Sequence, residues 1–295
     1  MGRAQPVMLP GAPGAQEQVR DEDAKTRAVP VRPPSAKVTR EQRQKLKRLQ
    51  ARARANDVRA MRALAEAHAQ GSLGLKKSLA AAAHWYRRAA QAGDVQAQHA
   101  LALMLLHGGK GVKRAPKIAA ALFLAAAQRG HVPSMYWLAH MLERGIGVGR
   151  DARAAHEWFL KAAKKGHVPA QVALGVMALT GRGMPRDLLK ARDWFARAAE
   201  QKDGWALNNL GAMYEMGWGV LKDREKAIIY YELASEMGNP AGERNLARLG
   251  QARPQAARAD PARIAPDAAA EKGTAAPNAR QDAPESAPEG AGSSR

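Results

Sequence analysis

Residues 206–238 read ALNNLGAMYEMGWGVLKDREKAIIYYELASEMG, two amphipathic segments joined by a short loop that Gly217 and Gly219 bound. The second segment opens at Asp223, a residue type whose side chain accepts hydrogen bonds from the free N–H groups of a first helical turn. Ala227 follows four residues later, the pair Tyr230–Tyr231 seven and eight, and Ala234 eleven. Such spacings gather side chains on one face of an α-helix. Gly238 ends the segment, where a left-handed backbone past the last turn favours glycine. The stretch predicts a helix–loop–helix hairpin whose apolar face needs a neighbour to cover it.

The same slots recur upstream every 36 to 37 residues, the signature of a solenoid. Leucine stands at 64, 101, 138, 174, 210 and 246, four residues after a small side chain at 60, 97, 134, 170, 206 and 242. Glycine pairs recur at 71/74, 108/111, 145/147, 181/183 and 217/219. The second segments begin at Ser78, Asp151, Asp187 and Asp223; the second unit has Ala115 followed by Pro116, which suits a first helical position but offers no side-chain acceptor. The bulky pair recurs as Trp85–Tyr86, Leu122–Phe123, Trp158–Phe159, Trp194–Phe195 and Tyr230–Tyr231, and reads as filling between repeats. Glycines 93, 130, 166 and 238 close the units, with Lys202 as the substitution. Five units are expected at 57–93, 94–130, 131–166, 167–202 and 203–238, within a solenoid of 57–250 that residues 239–250 cap.

The rest of the 295-residue chain differs in composition. Residues 1–38, with scattered proline, and 251–295, rich in alanine and proline, hold too little apolar surface to offset the entropy of ordering, so both are expected to be disordered tails. The chain lacks cysteine, which excludes disulfide staples, thiolate metal sites and a cysteine nucleophile. Aromatics make up only 5%, so the apolar content is mostly small and aliphatic and favours helix-on-helix packing over a sheet core. Prolines interrupt the N-terminal stretch and the longest apolar run, residues 118–127, falls short of a bilayer span, so a soluble, cytoplasmic protein is expected.

The pattern from Leu210 to Val220 and from Asp223 to Tyr231 resembles the Sel-one-like repeat, a relative of the tetratricopeptide repeat, and the third and fourth units match it closely too. The resemblance implies an all-α, right-handed α/α superhelical solenoid whose members mostly act as adaptors in protein complexes. A secreted, cysteine-rich branch of the family is linked to penicillin binding and β-lactamase activity, and this chain, without cysteine, departs from that branch.

With tetratricopeptide geometry, the first helix of each unit lines a concave groove. The residues expected there are Arg59, Arg62 and Glu66, then His99, Leu103 and Leu106, then Tyr136, Trp137, His140 and Glu143, then Val172 and Val176, then Trp205, Asn208, Asn209 and Glu215. Aromatic anchors among hydrogen-bonding groups suit capture of a peptide or protein partner. The competing reading is packing between successive first helices.

Other features carry less chemistry. His131 and His167 occupy the slot of Asp57, Asp94, Asp203 and Asn239 at the start of first helices, and no histidine spacing suits a metal, so neither metal nor cofactor is expected. Gly108-Gly-Lys-Gly111 and Gly181-Arg-Gly183 lack a preceding strand and read as inter-helix turns. The segment 39–56 reads as a basic helical lead-in with a capping box at Thr39 and Gln42, its patch comprising Arg40, Arg43, Lys45, Lys47, Arg48, Arg52 and Arg54. It offers an alternative function, contact with nucleic-acid phosphates, or else a solvated cap on the array. Of the formal net charge of +20, the first four units are basic and the fifth acidic. No constellation suggests catalysis. The sequence therefore predicts a non-enzymatic adaptor that grips a polypeptide.

Overall fold

The computed structural model describes residues 38–250, and twelve α-helices without a strand run through them. The expected tails lie outside the described residues, apart from Val38. The helices are α1 (Arg40–Arg54), α2 (Val58–Gln70), α3 (Leu79–Gln91), α4 (Val95–His107), α5 (Pro116–Gln128), α6 (Val132–Arg144), α7 (Ala152–Lys164), α8 (Val168–Thr180), α9 (Leu188–Glu200), α10 (Gly204–Met216), α11 (Arg224–Glu236) and α12 (Pro240–Arg248). Each packs chiefly on its predecessor and its successor, the contact map of an α/α solenoid.

Local chemistry sets the element boundaries. Ser78, Asp151, Asp187 and Asp223 each accept a hydrogen bond from the backbone N–H three residues on, at the starts of α3, α7, α9 and α11. Ala115 gives α5 no such bond, and Pro116 fills its first helical position. The units end in left-handed backbone at Gly93, Gly130, Gly166 and Gly238, and Lys202 adopts the same conformation at φ 61°.

The flanking helices are halves of further units. Asn56, past the end of α1, has φ 64°, as the residues ending each unit do, and α1 packs on α2 as a second helix packs on the following first helix. Ala53 of α1 is fully buried and Leu46 and Leu49 pack on the core, while Arg40, Arg43, Lys45, Lys47, Arg48, Arg52 and Arg54 are exposed. At the other end α12 is a first helix that no second helix follows among the described residues, and Glu243, Arg244 and Ala247 face solvent.

The bulky pair divides its labour. Its second members, Tyr86, Phe123, Phe159, Phe195 and Tyr231, are all buried. Trp85, Trp158 and Trp194 are half-buried instead, and each lies under a cation one turn on: Arg88 at 5.0 Å, Lys161 at 4.1 Å and Arg197 at 4.7 Å from the ring centroid. The buried rings demand small residues opposite them. A Cβ on Gly175 would stand 2.5 Å from the Phe195 ring, and one on Gly211 would stand 2.7 Å from that of Tyr231.

Loop glycines seat each unit on the one before. Gly183, at φ +70°, lies so close to the start of α7 that a Cβ would stand 2.2 Å from the Ala152 carbonyl oxygen. Gly166, at φ +84°, would meet nothing within 4 Å. Gly183→Ala should therefore cost about 2–4 kcal/mol in urea denaturation, and Gly166→Ala only about 1–2 kcal/mol from backbone strain. Equal losses at the two sites would contradict the seating contact.

Candidate functional site

The first helices α2, α4, α6, α8, α10 and α12 lie along one face of the array, and their side chains bridge one unit to the next. One slot does most of this. Arg62 Nη1 donates to both carboxylate oxygens of Asp94, at 3.1 and 3.0 Å, the residue capping α4. In the next unit His99 Nδ1 lies 2.9 Å from Ser134 Oγ, and its ring is 4.8 Å from that of His131, which caps α6. The Tyr136 ring then lies 4.9 Å from that of His167, tilted by 35°, and His167 caps α8. Asn208 repeats the device at the end, accepting at Oδ1 from Asn245 Nδ2 at 3.0 Å.

These contacts correct part of the expected groove. Asn208 and Asn209 are 4% and 1% exposed, Glu143 is 6%, Leu106 is 6%, and Val172 and Val176 are 1% each, so none presents a free surface. The physical reason is enclosure: every residue from 170 to 179 of α8 and from 206 to 214 of α10 is buried, because neighbouring helices cover these two on all sides. Glu143 pairs with Arg182 of the next unit at 3.2 Å. Glu215 Oε2 accepts from the Tyr231 hydroxyl at 2.7 Å and from Arg248 Nη2 at 2.6 Å, which ties α12 to α10 and α11. Trp205 packs half-buried against the cluster that holds Val172 and Val176.

Units 1 to 3 are more open. Arg59 and Glu66 are exposed, with Glu66 3.7 Å from Arg62. Leu103, Met104, Tyr136, Trp137 and His140 are half-buried and His107 is exposed. Trp137 is the centre of this patch: it stacks on Phe123 at 6.1 Å and meets His107 and His140 edge-on at 5.9 and 5.8 Å. Burial, helped by Arg144, holds the His140 imidazole neutral down to about pH 4. The patch offers aromatic and aliphatic surface with neutral imidazoles at its rim, a chemistry suited to apolar side chains of a polypeptide. Among the described residues no three histidine, aspartate or glutamate side chains gather to hold a metal ion.

Sequence reasoning placed His131 and His167 in the slot of the first-helix caps without assigning them the bond they make. In both, Nδ1 accepts from the backbone N–H three residues on, at 3.3 Å. The signal was their register with Asp57, Asp94, Asp203 and Asn239, all of which cap by side-chain oxygen.

Two polar groups at the end of the array differ in cost. Neither amide atom of Asn209 has a hydrogen-bond partner among the described residues, and alanine holds its slot at 100 and 173. Asn209→Ala should leave the melting temperature unchanged or raise it, by up to about 1 kcal/mol of stability. Arg248→Ala should cost about 2–3 kcal/mol by leaving Glu215 without its cation. Thermal melts of the two variants check both expectations, and a large loss for Asn209→Ala would show that this amide has a role its surroundings do not reveal.

The Sel1 repeat family model matches five times, at residues 58–94, 95–131, 132–167, 168–203 and 206–239. No curated protein matches the chain. Among solved structures, a Sel1 repeat protein from Oxalobacter formigenes is 22% identical over 81% of this chain and 90% of its own, with a TM-score of 0.66. That likeness concerns the fold. The protective antigen c5321 of uropathogenic Escherichia coli, which displays an SLR fold, is 27% identical over 72% of this chain and 52% of its own, with a TM-score of 0.47. Consecutive matches that run from α2 to the end of the fifth unit and span more than half of the sequence show that this chain belongs to the Sel1 repeat family.

Proposed function

We propose that the chain is a non-enzymatic scaffold that holds a peptide or protein partner on the open part of its first-helix face. The observation that carries this reading is the half-buried patch of Leu103, Met104, Tyr136 and Trp137 on α4 and α6. Membership of a repeat family whose members mostly serve as interaction scaffolds supports it. So does the rigidity of the framework: side chains fixed by packing lose little freedom on binding, so contacts spread along a curved face add up with small ordering cost. Glu66, His99, His107 and His140 would contribute hydrogen bonds at the rim, with Arg62 set back by its pair with Asp94.

The basic helix α1 enters this reading as a cap, and no observation favours the nucleic-acid alternative. Among the described residues no helix is long and apolar enough to cross a membrane.

A photoreactive residue at His107, beside Trp137, should crosslink the partner in cells, whereas one at Glu157, on the exposed side of α7, should not. Trp137→Ala should lose at least tenfold in partner affinity with helicity retained by circular dichroism, as expected when an aromatic anchor is truncated. Crosslinking at Glu157 alone would move the binding surface to the second helices and end the proposal.

A further inference from the structure

The first helices share a capping position but not a capping chemistry. α2, α4, α10 and α12 start at Asp57, Asp94, Asp203 and Asn239, whose oxygens remain acceptors at any mildly acid pH. α6 and α8, the first helices of the third and fourth units, start at His131 and His167, whose Nδ1 accepts only while the ring is neutral. At His131 the Ser134 N–H occupies Nδ1, so the ring proton sits on Nε2, which donates to Gln96 Oε1 of α4 at 3.2 Å. The His99 ring of α4 faces it at 4.8 Å, and both imidazoles reach Ser134 Oγ at 2.9 Å. His167 accepts from the Ala170 N–H and packs its ring, tilted, against Tyr136 of α6. Each ring therefore holds the cap of its own helix and a contact with the first helix of the preceding unit.

We propose that His131 and His167 make the joints on either side of the third unit acid-labile, so that mild acidification loosens the middle of the array while its aspartate-capped joints stay closed. A proton on Nδ1 would set an N–H against the backbone N–H it now accepts from, and would bring a positive charge to the positive end of a helix. One event thus removes the cap and disturbs the contact between units.

The surroundings do not offset that charge. Facing His131 are His99 and Gln96 from α4; Arg129, at the end of α5, turns its guanidinium to the Gly93 carbonyl. Facing His167 is Tyr136 from α6, with His140 one ring beyond, and the exposed Lys164 and Lys165 close α7. Among the described residues no carboxylate pairs with either imidazole. Burial holds His167 and His99 down to about 4 and lowers His131 as well. A freed histidine titrates near 6.5. The opened joint takes up a proton between those values and the closed one does not, so closure is fully present above pH 6.5 and weakens as pH falls toward 4.

Hydrogen exchange of the free, full-length protein at pH 7 and pH 5, corrected for intrinsic rates, tests this without any partner, so its outcome is separate from that of the groove. The first turn of α8 should lose about twentyfold in protection, the ratio expected for one histidine moving between 4 and 6.5. The first turn of α6 should also lose protection, while those of α4 and α10 change less than twofold. His167→Asn, which installs the residue that caps α12, should flatten the response of its joint, and His131→Asn should reduce that of α6, where His99 also takes up a proton on opening. An even loss across all units, or a response undiminished in both variants, would overturn the proposal. So would imidazole nitrogen resonances showing His167 charged at pH 6 in the folded chain, a measurement that needs no variant to fold.

Discussion

The array depends on a large ring from each second helix seating against a small residue of a first helix. Phe195 and Tyr231 lie where a Cβ on Gly175 or Gly211 would stand, and alanine holds the same slot at 65, 102 and 139, buried in each case. Burying such a ring contributes roughly 2–3 kcal/mol through apolar area alone, and close packing makes the contact intolerant of an added methyl group. Five such seats fix the angle and spacing within each hairpin. Loop glycines then fix the step from one hairpin to the next by resting on the start of the previous second helix, as Gly147, Gly183 and Gly219 do.

Because each unit touches only its neighbours, stability spreads along the chain as a sum of local terms. The ends therefore need covering without inviting further stacking. A basic helix does this at one end and a short first helix with a polar outer face at the other. Between them the chemistry joining first helices differs at four of the joints, from Arg62 and Asp94 through the histidine pair to Tyr136 and finally to asparagine. A repeated backbone with unrepeated joints lets one region respond to conditions that leave the others unchanged.

This variation also explains why the candidate site was only half legible. Register offered sixteen first-helix side chains, from Arg59 to Glu215, as candidates for one groove. Whether a member of that set is open or enclosed depends on what its neighbours place over it. α4 has no lysine, arginine, aspartate or glutamate, yet Leu103 and Met104 remain half-exposed; α8, which also has none, is buried over ten consecutive residues. No pattern within either segment distinguishes them. Likewise, the rows of tryptophan over cation on the second helices follow a Trp-x-x-Lys/Arg spacing visible at 85, 158 and 194, but the bulky pair reads as uniformly internal until the helices are stacked.

Local sequence was enough to dictate the helices, their caps, the five units and their order, because capping, glycine placement and 3.6-residue periodicity act over a few residues and need no distant partner. Packing in three dimensions settled which first-helix residues reach solvent, that α1 is a half-unit as the capping α12 is, and that two histidines serve both as caps and as joints. Those properties belong to side chains from units about 36 residues apart meeting in space, and pairings at that distance are set by how the hairpins stack, which no local pattern encodes.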